Sequence, residues 1–185
     1  MAGWAEIRAK GRLRMLFAFR SIVALVVGGG ATAAQAASCD AAGPGYSNSG
    51  AASCITIANT SFGGAVSNSG TLSPGGIVVT NATIDGGIVN SGTIAAQGDG
   101  IVVNGAAVSG GITNSGAITA DRGIVVSNVA TFLGGITNSG SIGPGGIAVT
   151  NSTITGAIDD SGSNAGGISI DDGSTVGGGL HKGQR

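Results

Sequence analysis

Two aspartates and one arginine form the group of residues in this sequence whose spacing best suits acid–base chemistry. Asp99 and Asp121 each lie just before a segment that contains Gly-Ile, and Arg122 directly follows Asp121. Enzymes that cleave polysaccharides use a pair of carboxyl groups at the glycosidic bond. Aspartate is also a common turn former, and that interpretation requires no chemistry. We favour solvated turns at these positions and predict no catalytic residue.

The other polar residues are weaker candidates for a catalytic or metal site. His181 is the single histidine, and it lies within the last five residues, where order is least expected. Aspartate pairs occur at positions 159–160 and 171–172, but the sequence lacks the glycine-rich nonapeptide of calcium-binding β-rolls. We therefore predict that the protein binds no metal ion and no cofactor.

Cys39 and Cys54 are the two cysteines of the chain. If the chain is exported, an oxidising compartment favours a disulfide between two thiols this close in sequence. Closing a loop of 15 residues contributes about 3 kcal/mol in the chain-entropy model. Two free thiols are the alternative, and a metal site is disfavoured because no histidine or further cysteine is near.

The first 36 residues have the pattern of a secretory signal peptide. Five of the eight basic residues lie in the first twenty positions, and an uncharged apolar stretch follows from Ser21 to Val27. Ala34-Gln35-Ala36 then has the small-x-small form of a cleavage site. The apolar stretch is short for a membrane anchor. We predict a signal peptide at residues 1–36, cleaved between Ala36 and Ala37.

Removal of this leader would leave a chain with few charged groups. Three basic residues and eight aspartates remain, which gives a net charge of −5. A negative chain gives no basis for nucleic-acid binding. The 38 glycines make a helical bundle implausible, because interior glycine destabilises helices. The scarcity of chemically active side chains also disfavours an enzyme.

An internal repeat dominates the rest of the sequence. Asn-Ser-Gly recurs at spacings of 20 to 24 residues and returns as Asp160-Ser161-Gly162. Apolar residues lie two positions before and four positions after the asparagine in most copies, and Gly-Ile-x-Val falls between successive motifs. The asparagines are Asn48, Asn68, Asn90, Asn114 and Asn138.

These columns predict an all-β protein, a right-handed parallel β-helix (β-solenoid) of about five to six coils. Each apolar patch is short and is bounded by turn residues, as expected for strands of three to five residues. One repeat cannot bury its apolar face alone, whereas stacked repeats can. A β-sandwich is the alternative, but it does not need the same residue in each column. The predicted core ladder is Ile88, Ile112 and Ile136, with Ile101, Ile124 and Ile147.

Two features of the repeat have more than one interpretation. The column of Asn68, Asn90, Asn114 and Asn138 is either a ladder of hydrogen-bonded amides or a row of turn formers. A further apolar column contains Phe62, Ile84, Val108 and Ile154, and between the last two it shifts to Val129 or Phe132. The right-handed coil follows the usual hand of parallel crossovers.

Together, these features resemble the passenger region of bacterial autotransporters, which are type V secreted surface proteins. The resemblance rests on the signal peptide, on Cys39 and Cys54, and on the repeated Gly-Gly-Ile-x-Asn-Ser-Gly-x-Ile units. It covers residues from about Cys39 to Gly179, and the motif is more specific for the solenoid than for the family. The chain departs from the family in one respect, because its sequence contains no set of outer-membrane barrel strands. Contact with the outer membrane would therefore require a barrel that is absent from this chain.

The resemblance implies an exported, non-enzymatic surface protein that acts as an adhesin or structural spacer. Its partner would be a host, matrix or cell-surface ligand of unknown identity. It would lie at the cell surface as part of a complete autotransporter and in the periplasm otherwise. The repeat stops within a unit, so we favour a truncated product over a complete short protein. A carbohydrate-active β-helix enzyme and a non-functional fragment are the alternatives.

The predicted organisation has four parts. A signal peptide occupies residues 1–36 and an N-terminal cap with the disulfide occupies residues 37–60. The solenoid repeats extend over residues 61–180, and a tail follows at 181–185.

Overall fold

The computed structural model describes Cys39, residues 45–171 and residues 173–183. The predicted signal peptide and its cleavage site at Ala36 and Ala37 lie outside these residues. Within the described range the chain is a parallel β-solenoid of about six coils between residues 46 and 182. Its regular elements are all strands, and none of the described residues belongs to a helix able to cross a membrane.

The strands of successive coils stack into four sheets, the last of which is interrupted at one coil. Sheet 1 begins the coil and contains the asparagine of the Asn-Ser-Gly motif. Its seven strands are Tyr46–Asn48, Val66–Asn68, Ile88–Asn90, Ile112–Asn114, Ile136–Asn138, Ile158–Asp160 and Leu180–Lys182. Sheet 2 follows the Ser-Gly corner. Its six strands are Ala51–Ala52, Thr71–Leu72, Thr93–Ala95, Ala117–Thr119, Ser141–Ile142 and Ser163–Asn164.

Sheet 3 is formed by the Gly-Ile-x-Val segments and has the longest strands. These are Ile55–Ala58, Ile77–Thr80, Asp99–Asn104, Arg122–Ser127, Ile147–Thr150 and Ile168–Ile170. Sheet 4 closes the coil and is interrupted once. It contains Ser61–Phe62, Thr83–Ile84 and Ala107–Val108 in one group, and Thr153–Ile154 and Thr175–Val176 in another.

The apolar columns meet inside the coil, as the repeat predicts. In sheet 1, Ile88, Ile112 and Ile136 pair in register and are at most 1% exposed. In sheet 3, Ile101, Ile124 and Ile147 form the equivalent column and are buried to the same extent. Because side chains alternate along a strand, each Ile-x-Val segment directs both apolar residues inward.

The break in sheet 4 resolves the two positions proposed for the shifted column. Phe132 pairs with Ile154 and is fully buried, so it occupies the column itself. Val129 is also buried, at 2% exposure, and its backbone N–H donates to Ser152 Oγ on the next coil. Both residues therefore face the core, and this coil has one extra residue at the corner.

The disulfide between Cys39 and Cys54 lies beside the first coil, with the two Cα atoms 4.9 Å apart. The carbonyl of Cys39 accepts a hydrogen bond from the N–H of Thr56, in the first strand of sheet 3. The strands of this coil begin at Tyr46, within the segment assigned to the cap. The last strand, Leu180–Lys182, extends into the segment assigned to the tail.

Close backbone stacking explains the glycine of the Asn-Ser-Gly motif. A Cβ atom on Gly116 would overlap the carbonyl oxygen of Gly92 and lie 2.9 Å from its nitrogen. Equivalent overlaps arise along the column at Gly70, Gly92, Gly140 and Gly162. By contrast, a Cβ atom on Gly98 would meet nothing within 4 Å.

We expect Gly116→Ala to destabilise the solenoid by about 1–3 kcal/mol, because the coils must separate locally to admit the methyl group. Gly98→Ala is the matched control, and it should be neutral or stabilise by up to about 1 kcal/mol through the unfolded state. Urea denaturation of the two variants tests this difference. Equal stability of the two variants would contradict the close approach at Gly116.

Candidate functional site

The asparagines of sheet 1 form a continuous ladder inside the solenoid. Asn68, Asn90, Asn114 and Asn138 are fully buried, and Asn48 is 7% exposed. Each Nδ2 donates to the Oδ1 of the asparagine on the next coil, at 2.7–2.8 Å. These hydrogen bonds support the ladder interpretation. Asparagine suits the column because its amide supplies both a donor and an acceptor.

The ladder ends at Asp160, which occupies the asparagine position of the sixth coil. Its Oδ1 accepts a hydrogen bond of 2.7 Å from Asn138, and its Oδ2 accepts one of 3.1 Å from Asn164. The side chain is 1% exposed. Both side-chain oxygens of Asp160 accept hydrogen bonds, whereas an asparagine there would also carry an amide donor, so the amide ladder ends at this coil. The in-register residue there is Lys182.

The repeat contains a second asparagine column, which the sequence analysis overlooked. It lies at the corner after sheet 3, where Asn59, Asn81, Asn128 and Asn151 have φ angles of 46–55°. Gly105 takes the same position in the intervening coil, with φ 59°. Asparagine and glycine are the residues that adopt this left-handed conformation most readily. The visible signal was an asparagine or glycine two positions after each Ile-x-Val segment.

Asp171 lies one position before this corner in the last coil, in register with Thr150, and its side chain supplies the last acceptor for the corner column. In earlier coils the corner N–H donates to a backbone carbonyl of the next coil, as Asn128 does to Thr150. On the last pair of coils the N–H of Asn151 donates instead to the Asp171 carboxylate, at 3.1 and 3.2 Å. The Ser174 hydroxyl also donates to Asp171 Oδ1, at 2.6 Å. The Ser174 hydrogen bond and the Asn151 N–H hold the pKa of Asp171 below its ordinary value of 3.8.

Because the folded-state pKa of Asp171 is lowered, its ionised form stabilises this end at a pH above the ordinary value. That contribution is lost as the pH falls through the folded-state pKa. We expect Ser174→Ala to raise the pKa of Asp171 towards 3.8, because the side-chain donor is removed. A titration of the Asp171 carboxyl carbon by NMR measures this shift, with Ser163→Ala as a control that leaves Asp171 unchanged. An unaltered titration in Ser174→Ala would contradict the role given to Ser174.

The acid–base candidates meet in a different pairing from the one considered in the sequence. Asp99 is in register with Arg122, because the paired residues Ile101 and Ile124 are 23 positions apart. Arg122 Nε lies 2.5 Å from Asp99 Oδ1 and forms an ion pair with it. Asp99 Oδ1 is buried and has no hydrogen-bond partner in the part of the chain that the structure describes. Arg122 is 63% exposed, and such surface pairs contribute at most about 1 kcal/mol. Asp121 is exposed and lies one position out of register.

The outer surface of the coils presents rows of small residues. On sheet 1 the row contains Ser47, Ser67, Val89, Thr113, Thr137, Asp159 and His181. On sheet 4 the first group contributes Ser61, Thr83 and Ala107, and the second contributes Thr153 and Thr175. Neighbours in a row lie about 4.8 Å apart, so adjacent hydroxyl groups recur at that spacing, and Val89, Asp159 and His181 interrupt them on sheet 1.

A cavity of about 440 Å³ lies at the C-terminal end of the solenoid. Its lining consists of Gly162, Ser163, Asn164, Ala165, Lys182 and Gly183. Across residues 39, 45–171 and 173–183, no three His, Cys, Asp or Glu side chains are grouped so that they could hold a metal ion. His181 is exposed on the outer row of sheet 1. No family model, curated protein or solved structure matches the chain.

Proposed function

We propose that this chain is an exported, non-enzymatic surface protein, similar to an autotransporter passenger, that acts as an adhesin or structural spacer. The observation that carries this proposal is the set of outer rows, in which serine and threonine pair in register on neighbouring coils at four places: Ser47 with Ser67, Thr113 with Thr137, Ser61 with Thr83, and Thr153 with Thr175. Weak polar contacts that recur at a fixed spacing add up by avidity. An extended ligand can contact many positions of such a surface at once, whereas an enclosed pocket would hold only one short segment of it.

An attachment assay tests the adhesin. Beads coated with the purified chain should bind cells or extracellular matrix more strongly than beads coated with an inert protein. Thr113→Glu with Thr137→Glu alters sheet 1, and Thr83→Glu with Thr153→Glu alters sheet 4 as the matched pair. Loss of attachment in one pair only would map the binding face. If all beads attach equally, the adhesin is excluded and the spacer is retained.

The enzyme alternative has its own measurement. Incubation with polysaccharides should yield no new reducing ends, because the carboxylate of Asp99 is already paired with Arg122. Polysaccharide cleavage that is lost in Asp99→Asn or Asp121→Asn would overturn the non-enzymatic proposal. Cleavage that persists in both variants would point to a contaminant.

Export is proposed on the leader sequence alone. In a Gram-negative host we expect the mature product to begin at Ala37, because the small-x-small motif precedes that residue. Mass spectrometry of the N-terminal peptide from fractionated cells tests this. A chain that stays in the cytoplasm with residues 1–36 attached would contradict export.

A further inference from the structure

One short motif, Asn-x-Ser/Thr, falls on a single edge of the solenoid. The chain has eleven asparagines, and three of them have serine or threonine two positions later. These three are Asn59, Asn81 and Asn151, and all of them belong to the left-handed corner column after sheet 3. The five asparagines at positions 48–138 that form the buried ladder are each followed by Ser-Gly and do not begin the motif. The motif therefore coincides with one place in the fold.

The corner presents both polar groups of the motif to solvent. The three asparagines are exposed, and so are the hydroxyl residues that follow them, Ser61, Thr83 and Thr153, on the outer row of sheet 4. The residue between them faces inward in two of the coils, where Ala82 is 6% and Ser152 is 3% exposed. The asparagine amide and the hydroxyl group therefore lie together on the outside of the corner.

The corner amides also have an N–H that no other group uses. Asn151 Nδ2 donates to Asn128 Oδ1 at 3.1 Å, and an amide nitrogen has two hydrogens, so one remains. Among the described residues, Asn59 Nδ2 and Asn81 Nδ2 donate to no partner. In the ladder, by contrast, Asn90 Nδ2 donates to Asn114 and to a backbone carbonyl. A covalent bond to Nδ2 at the corner would break no hydrogen bond, whereas in the ladder it would break at least one.

The fold leaves open space beside one of these amides. On the next coil the corner residue is Gly105, and a Cβ atom there would lie 2.6 Å from Asn81 Oδ1. A cavity of about 210 Å³ lies on this edge, and its lining includes Gly105, Ala107 and Thr131. A group attached to Asn81 therefore extends over a hollow and not against a large side chain.

We propose that Asn59, Asn81 and Asn151 are modification sites that carry N-linked sugars. Asn-x-Ser/Thr is the acceptor motif of this modification, which places a bulky and solubilising group on the protein surface. Nδ2 forms a bond to the anomeric carbon of a nucleotide- or lipid-linked sugar, and the bond from that carbon to the diphosphate breaks. The amide nitrogen loses one proton to a base of the transferase, and the diphosphate leaves with the bonding electrons. The modification does not depend on whether the protein acts as an adhesin or as a spacer.

Glycosylation of the purified, folded chain tests the three sites. The full chain is incubated with a transferase specific for Asn-x-Ser/Thr and with nucleotide-activated glucose, and the products are mapped by mass spectrometry after proteolysis. We expect one hexose at each of Asn59, Asn81 and Asn151, and none at the buried ladder asparagines. Synthetic peptides of residues 57–63, 79–85 and 149–155 serve as unfolded acceptors. A folded chain that takes no hexose overturns the proposal, whether or not the peptides are modified.

Two variants that each complete a new motif separate the effect of the fold from that of the motif. Ala130→Thr completes it at Asn128, which is exposed and has φ 55° like its neighbours in the column, so a fourth site should appear. Gly50→Thr completes it at Asn48, which is 7% exposed and donates to Asn68 at 2.7 Å. A Cβ atom on Gly50 would meet nothing within 4 Å, so this change is accommodated. Modification of Asn48, or failure to modify Asn128, would refute selection by the corner.

The hydroxyl group has its own pair of variants. Thr83→Val keeps the shape of the side chain and should abolish the modification at Asn81 alone, whereas Thr83→Ser should retain it. The chain isolated from the cells that naturally produce it should carry the added mass of sugar at the same three asparagines. A natural chain whose mass equals that of the polypeptide, or Thr83→Val that is still modified at Asn81, would overturn the proposal.

Discussion

Ile112→Asp is expected to unfold the middle of the solenoid. Ile112 is 1% exposed and lies in register between Ile88 and Ile136. A carboxylate at this position would be enclosed by apolar side chains, with no charged partner in the column. Burying an unpaired charge costs several kcal/mol, and we expect a loss of about 5 kcal/mol or more, which is comparable with the total stability of many domains. Loss of the strand signal in circular dichroism, followed through urea denaturation, measures it.

Thr113→Asp is the matched control for this change. Thr113 is adjacent to Ile112 but is exposed on the outer row of sheet 1. The same row already holds an aspartate, Asp159, two coils further on. The same carboxylate should therefore change the stability by no more than about 0.5 kcal/mol at position 113. A folded Ile112→Asp variant, or equal effects at both positions, would refute the inward isoleucine column.

The stacking of the coils could be predicted because the repeat shows which residues share a column. Equivalent residues such as Ile101 and Ile124 recur along the chain, and parallel pairing in register follows from burying each apolar row against its copies. A one-residue slip would turn the buried rows outward, so the pattern also determines the register. The same reasoning located the asparagine ladder, although the sequence alone did not distinguish it from a row of turns.

Features that depend on small changes of coil length were harder to predict. Coils of 22 and 23 residues look alike in the sequence, yet one extra residue pairs Asp99 with Arg122 instead of with Asp121. Val129 likewise continues a buried column with Ala82, Ala106 and Ser152, and the extra residue of this coil falls between Val129 and Phe132, so both lie in the core. Pairing between coils decides these details, because a corner can absorb an extra residue without disturbing the strands beside it.

The ends of the ladders needed the structure for a different reason. From the sequence, Asp160 and Asp171 were interpreted as ordinary turn residues, because aspartate is common in turns. Their role appears only when the donors from the preceding coil are located, which are Asn138 Nδ2 and the N–H of Asn151. Each aspartate takes the place where a column needs an acceptor and no donor.

Asn114→Leu should produce the second large loss of stability. Asn114 is fully buried at the centre of the ladder, where it accepts from Asn90 and donates to Asn138. Leucine has a similar shape but leaves a donor on Asn90 and an acceptor on Asn138 without these partners. An unsatisfied buried group costs about 1–3 kcal/mol, so the expected loss is about 4 kcal/mol. Urea denaturation measures it, with Thr113→Val as the control, because Val89 already occupies that outer row.

Asn114→Asp separates hydrogen bonding from shape, because the two side chains are nearly identical in size. The new carboxylate still accepts from Asn90, but it faces the Oδ1 acceptor of Asn138. Burial and this facing acceptor both disfavour the charged form, so the pKa of the new carboxyl is raised in the folded state. The loss of stability relative to the parent chain should therefore shrink as the pH falls through that raised pKa, since the protonated form regains a donor. The loss in Asn114→Leu should keep the same size over that range. A variant Asn114→Asp as stable as the parent chain at every pH would show that the column tolerates an aspartate at any coil, and the placement of aspartate at the end of the ladder would then need another cause.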